Sequence, residues 1–299
     1  MLERTDILDP ELTARLAGAA FSGPPTPAPH HGVQPSPRRG IGMEFAEHVE
    51  YSAGHEIGSI DWKVFARSDR YYVKQREDER LRRVVFVMDT SASMTYGAAS
   101  ALDMRGSKHQ FAARIVTSIA RCLVSEGDAV GLMLAGGEFV YLPPSGGMKQ
   151  FEALLEIVSG GIIAGNCRLS SACAEAAERL KRNATMFIVS DFLDDDSGLD
   201  EILRGMLPRG IAPRLIHVLH SDEVELPQEG TTRYIDIEGD DSLVLDPDLI
   251  RKAYNEEVRG FLREMSESAA KSGIPYACCE TGRDPAEALT ALIRSGGWR

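Results

Sequence analysis

From residue 84 onward the chain alternates short apolar runs with longer amphipathic stretches. Val84-Val85-Phe86-Val87-Met88 is unbroken and of strand length, as a strand buried on both faces requires. Ser107 then predicts the cap of a helix in which Phe111, Ile115, Val116, Ile119, Leu123 and Val124 keep a 3.6-residue period, with Gly127 just past its end. Val130–Ala135 reads as a second strand, and Gly136-Gly137 as a turn into a short third one, Phe139–Leu142. Helices are expected near 148–158 and 171–182, followed by another buried strand over 185–190. Ser197 and Asp200 suggest a capped helix through Leu207, and Arg214–Leu219 a strand. After an irregular excursion over about 221–245, Asp246-Pro247 opens a long helix. Its stripe is Leu249, Ile250, Ala253, Tyr254, Phe261, Leu262 and Met265, and Gly273 closes it. Ile274–Glu280 is the last strand, with Cys278 and Cys279 on opposite faces, and Asp284-Pro285 opens a final helix. Alternating strands and helices of this kind predict an α/β domain over 84–299, with a mostly parallel sheet and helices on both faces.

The first 83 residues lack that regularity. Asp9, Pro10, Leu12 and Leu16 predict a short helix over 9–20. Six prolines between residues 22 and 38 then predict an extended arm, so residues 1–39 read as helix plus arm. Residues 40–83 read as a segment packed on the main domain and containing a strand at 71–75. In it, Asp61, Trp62 and Arg67 suit either a partner-binding surface or a buried Trp with an anchoring ion pair.

Charge narrows the function classes. The 299 residues carry a formal net charge of −12, which disfavours nucleic acid and anionic membrane surfaces as partners. The five cysteines are odd in number and contain no CxxC, which fits reduced thiols rather than a disulfide framework. There is no signal-peptide pattern, and no apolar stretch approaches the roughly 18 residues of a membrane span, so a cytoplasmic location is expected.

In open α/β sheets, ligands bind beyond the carboxyl ends of the strands. The first buried strand ends in Asp89, followed by Ser91 and Ser93, and the strand at 185–190 ends in Asp191. Carboxylate and hydroxyl oxygens are hard donors that suit Mg²⁺ or Mn²⁺, and a partner's acidic residue could complete the shell. In the alternative, the two serines satisfy only backbone groups in a turn. No GxGxxG, GxxxxGK(S/T) or GxSxG motif is present.

The DxSxS turn and the later strand-end Asp resemble the metal-ion-dependent adhesion site of von Willebrand A domains. More specifically, the chain resembles bacterial proteins with a domain of unknown function and a von Willebrand A-like fold, encoded beside MoxR-type AAA+ ATPases. The resemblance rests on Glu44–Glu47, Ile60–Arg70, Val73-Lys74, Asp89–Met94 and Ser190-Asp191-Phe192. It implies a Rossmann-like sheet of order 3-2-1-4-5-6 with the third strand antiparallel, and a MoxR-type ATPase as partner. It also aligns the family's Gly-x-Thr loop with Gly165-Asn166-Cys167, where a thiol, a soft ligand, replaces the hydroxyl. A non-catalytic, metal-dependent interaction module is therefore expected, working in complex assembly or remodelling. The alternatives are a metal-dependent phosphoester hydrolase using Asp89 and Asp191, and a metal-free scaffold that keeps only the fold.

Overall fold

The computed structural model describes residues 2–18, 82–100, 103–136, 140–160, 168–180, 183–193, 198–226 and 246–295, and the backbone of strands at 44–50, 72–77, 232–235 and 242–245. The chain divides into two compact units, one formed by Met1–Ala28 with Arg82–Trp298 and the other by Pro29–Leu81. In the smaller unit β1 (Glu44–Glu50) pairs antiparallel with β2 (Tyr72–Glu77), with a register shift between Phe45 and Glu47.

The larger unit opens with α1 (Arg4–Ile7) and α2 (Pro10–Leu16), the latter capped by Asp9, whose side chain accepts from Leu12 N. Then follow β3 (Arg83–Asp89), α3 (Lys108–Ser125), β4 (Ala129–Ala135), β5 (Val140–Ser145), α4 (Met148–Ser159), α5 (Leu169–Arg179) and β6 (Ala184–Ser190). The rest is α6 (Leu199–Met206), β7 (Ile211–Leu219), α7 (Ser221–Val224), β8 (Thr232–Ile235), β9 (Ser242–Leu245), α8 (Pro247–Lys271), β10 (Tyr276–Glu280) and α9 (Ala286–Arg294). Six strands form one sheet in the order β10-β7-β6-β3-β4-β5, with β5 alone antiparallel. Counted along the chain within that sheet, the order is 3-2-1-4-5-6, as expected. A separate antiparallel pair, β8 and β9, fills the excursion before α8.

β3 shows why its apolar run is continuous. Val84, Phe86 and Met88 face one helix layer, with α3, α4 and α9, while Val85 and Val87 face the other, with α5 and α6. Leu2, Ile7, Leu12 and Leu16 join the first layer, so the amino-terminal helices belong to this core. Their backbone is also held to α3: Thr117 Oγ1 donates to Ile7 O (2.6 Å) and Gln110 Nε2 to Asp6 O (2.9 Å).

Several elements differ from expectation for local reasons. β5 runs three residues further than expected, through Pro143-Pro144, which an edge strand tolerates because one side of its backbone needs no partner. Opposite it, Gly131 lies at a register shift where a Cβ would come 2.7 Å from Leu142 O. β7 starts at Ile211 rather than Arg214. α6 begins at Gly198 without a side-chain cap, and Ser197 lies outside the described residues. The stripe of α8 is only partly covered. Met265 packs on the core and the Phe261 ring lies edge-on to His217, whereas Leu249 is 83% exposed in the first turn. Cys279 is buried and Cys278 exposed, as the strand period predicts.

Candidate functional site

β3 and β6 are parallel neighbours in register, with Met88 opposite Val189, so the residues that leave their carboxyl ends emerge side by side. Asp89, the last residue of β3, is 2% exposed. Its Oδ1 accepts from Ser91 N (2.8 Å) and its Oδ2 from Ser190 Oγ (2.5 Å). Burial holds the Asp89 carboxyl above the usual carboxylate range and the nearby Asp191 adds to the shift, opposed by the hydrogen bonds from Ser190 and Ser91.

The turn after Asp89 is fixed from both sides. Thr90 leans away, with its backbone N (2.9 Å) and Oγ1 (3.1 Å) both donating to Ala135 O at the end of β4. Ser91 precedes a 3-10 turn over Ala92–Thr95 that buries Met94. Ser91 Oγ and Ser93 Oγ lie 2.9 Å apart, with one hydroxyl donating to the other. The expected pair of hydroxyls therefore sits next to the first carboxylate.

Asp191 is equally buried, and its partners are different. Leu193 N donates to its Oδ1 at 3.3 Å, and Lys108 Nζ to its Oδ2 at 2.6 Å. Lys108 is fully buried, and its ammonium also donates to Glu223 Oε1 at 2.6 Å. The other Glu223 oxygen accepts from His220 N (2.7 Å). The His220 ring stands edge-on to Tyr96 and lies where a Cβ on Gly97 would meet it at 2.6 Å, so only glycine, here at φ 85°, fits position 97. Four segments thus converge at the carboxyl edge of the sheet: the turn after β3, the start of α3, the end of β6, and α7 after β7.

Phe192, directly after Asp191, has φ 50°, a left-handed conformation that is strained for a bulky residue. It is held there by Phe192 N donating to Ser190 Oγ (3.0 Å) and by burial of the ring edge-on against His217. His217 Nδ1 lies 2.8 Å from the Tyr276 hydroxyl, and burial pushes the imidazole down to about 4. Ser190 therefore serves both strand ends at once, donating to Asp89 and accepting from Phe192.

Of the sequence-predicted residues, Asp89, Ser91, Ser93 and Asp191 come together. Cys167, Asp61, Trp62 and Arg67 lie outside the described residues. Lys108, Glu223 and Ser190 were missed as functional groups. Lys108 did carry a signal. A cation in the first turn of a helix opposes the helix dipole and needs a compensating partner. Glu223 carried none, because its contact with Lys108 spans 115 residues.

The donor set is one of hard oxygens. Among the described residues no three His, Cys, Asp or Glu side chains gather as a metal centre, so any ion here depends on the serine hydroxyls. Charge favours such an ion. Among the described residues Asp191 and Glu223 share one ammonium, that of Lys108, while Asp89 accepts only neutral donors, so the cluster holds more carboxyl groups than cations. Asp89, Ser91 and Ser93 thus offer hard oxygens of the kind a divalent cation takes.

Among the described residues no helix is long and apolar enough to cross a membrane. Uncharacterized proteins of Mycobacterium tuberculosis and Mycobacterium bovis are each 27% identical to this chain over 296 residues, covering 94% of it and 88% of their own length. The crystal structure of the conserved hypothetical protein BatB from Bacteroides thetaiotaomicron aligns with a TM-score of 0.48 at 18% identity, over 71% of this chain and 97% of that one. An aerotolerance-related membrane protein from Bacteroides fragilis aligns with a TM-score of 0.47 at 16% identity, over 71% and 98%. The family model described as "Protein of unknown function DUF58" matches residues 47–261, from within β1 into α8, and so takes in every residue of the strand-end cluster. The chain belongs to the DUF58 family.

Proposed function

We propose that this chain is a non-catalytic interaction module that receives an acidic side chain of a partner protein at the turn after β3. The observation that carries the reading is the pairing of Ser91 Oγ and Ser93 Oγ beside a buried Asp89 that, among the described residues, has only neutral donors. A bound Mg²⁺ or Mn²⁺ would supply an open coordination position for the partner's carboxylate. Asp89, Ser91 and Ser93 would hold it, and Asp191 would orient its waters. By resemblance the partner is a MoxR-type AAA+ ATPase, with the pair acting in complex assembly or remodelling.

A pull-down with that ATPase tests the reading, with and without EDTA and with Asp89→Ala as control. Binding to the wild type that is lost in EDTA and lost in Asp89→Ala is expected. Equal capture in all three conditions would refute it.

Lys108 favours a second reading, the metal-free scaffold. Its ammonium already lies against Asp191 and Glu223, so the fold has an internal cation of its own. In that case the partner binds equally with and without EDTA, and calorimetric titration with Mn²⁺ gives no saturable heat. The phosphoester-hydrolase alternative draws little support. Both Asp89 oxygens accept hydrogen bonds inside the protein, which blunts a nucleophile, and Ser91 stands where a general acid would be expected.

A further inference from the structure

We infer that Lys108 is a built-in cation that sets the affinity of the strand-end site, by holding Asp191 and Glu223 away from any ion bound at Asp89, Ser91 and Ser93. The inference rests on the metal-binding reading above, and it concerns what limits that binding.

The placement of Lys108 is unusual in two respects. It is the first residue of α3, where a positive charge opposes the aligned peptide dipoles. Its side chain is wholly buried, and an ammonium is tolerated there only when paired and hydrogen-bonded. Both of its carboxylate contacts are at 2.6 Å, to residues on two different strand ends. Glu223 is in turn fixed by His220 N, so the second carboxylate cannot follow the ammonium if it moves. Lys108 thereby does part of what a divalent ion would do: it neutralises the ends of β6 and β7 and keeps them together. An ion at Asp89 then meets a neighbouring carboxylate that is already committed, together with a like charge behind it.

Removing the ammonium reverses both effects. The buried Asp191 and the part-exposed Glu223 are then left with backbone donors only, which makes the fold depend on an outside cation and makes the site more attractive to one. Lys108→Met keeps the length of the side chain and deletes the charge. Wild type and variant are compared by calorimetric titration with Mn²⁺ and by thermal unfolding in EDTA and in Mn²⁺. Lys108→Met is expected to bind Mn²⁺ at least about tenfold more tightly than wild type, as loss of a nearby like charge at an effective dielectric of about 20 implies. In EDTA it should melt below wild type, and Mn²⁺ should restore it.

The outcomes separate this inference from the reading beneath it. If wild type binds and Lys108→Met binds no more tightly, the role of Lys108 is overturned while the metal-dependent reading stands. If only Lys108→Met binds, the role of Lys108 is supported and the wild type is metal-free. No binding by either protein overturns both. If Lys108→Met does not fold even in Mn²⁺, Glu223→Gln decides. It leaves the ammonium to Asp191 alone and removes one negative charge, so Mn²⁺ affinity should fall several-fold, and an unchanged affinity overturns the inference.

Discussion

β3 and β4 carry a buried aspartate beyond each end, and the two are treated in opposite ways. At the amino end Asp128, 2% exposed, is answered by Arg82, which precedes the neighbouring strand. Its Oδ1 accepts from Arg82 Nε (3.0 Å) and the Arg82 backbone N (3.3 Å), and Nη2 lies 2.5 Å from Oδ2. At the carboxyl end Asp89, equally buried, receives only neutral donors. Burial raises both carboxyls, but among the described residues only Asp128 has a cation beside it. Burial alone therefore does not separate an ion-paired aspartate from one with neutral donors. The kind of partner does.

That contrast can be broken from either side. The largest effect should come from Arg82→Met, which strands the Asp128 carboxylate in the interior. A loss of about 4 kcal/mol in urea unfolding is expected, with no recovery on adding Mg²⁺ or Mn²⁺. A loss no greater than that of an ordinary surface substitution, about 0.5 kcal/mol, would mean that Asp128 does not need its partner.

Buried groups that stay neutral give the next effect. His109 and His217 are both pushed down to about 4 by burial. Their folded values lie below the unfolded 6.5, so the stability they contribute is present above pH 6.5 and is lost as pH falls from there toward 4. Each accounts for about 3 kcal/mol over that window. His217→Gln should flatten the pH dependence of unfolding by its share, and an unchanged slope would contradict the assignment.

Asp89→Asn should act in the opposite direction. The carboxyl is held above its ordinary value, so its ionisation costs stability as pH rises from about 3.8 through the raised value. The amide should therefore stabilise the fold at pH 7 by on the order of 1 kcal/mol, with the gain vanishing toward pH 4. Destabilisation at pH 7 would mean that the hydrogen bonds from Ser190 and Ser91 require the carboxylate itself. Smallest in stability is Ser93→Ala, with a change below about 0.5 kcal/mol in denaturant and a weakened response to Mn²⁺ in calorimetry. Equal Mn²⁺ heats in wild type and variant would remove Ser93 from the site.

The sheet was legible because its signal is local. Five apolar residues in β3 and the 3.6 period of α3 each lie within one element. Asp89 and Asp191 were legible for a related reason, since each ends a run that the pattern had already marked. Lys108 was not, because its meaning lies in carboxylates 83 and 115 residues away. The stripe of α8 misled in a different way. Periodicity reports which face is apolar, not how much of it is covered, and Leu249 is left almost bare. Cys167, the residue that most qualified the adhesion-type reading, lies outside the described residues.

The two amino-terminal helices also bear on how the chain is made. Arg15 pairs with Asp284, 269 residues later, and Ile7 and Asp6 are held by α3. Arg15 thus waits for Asp284 before its contacts are complete. Such long-range closure slows folding and leaves Leu12 and Leu16 without their full cover while the chain is being made. These two helices are therefore among the last parts of the core to be finished, and they close over the helix that carries Lys108.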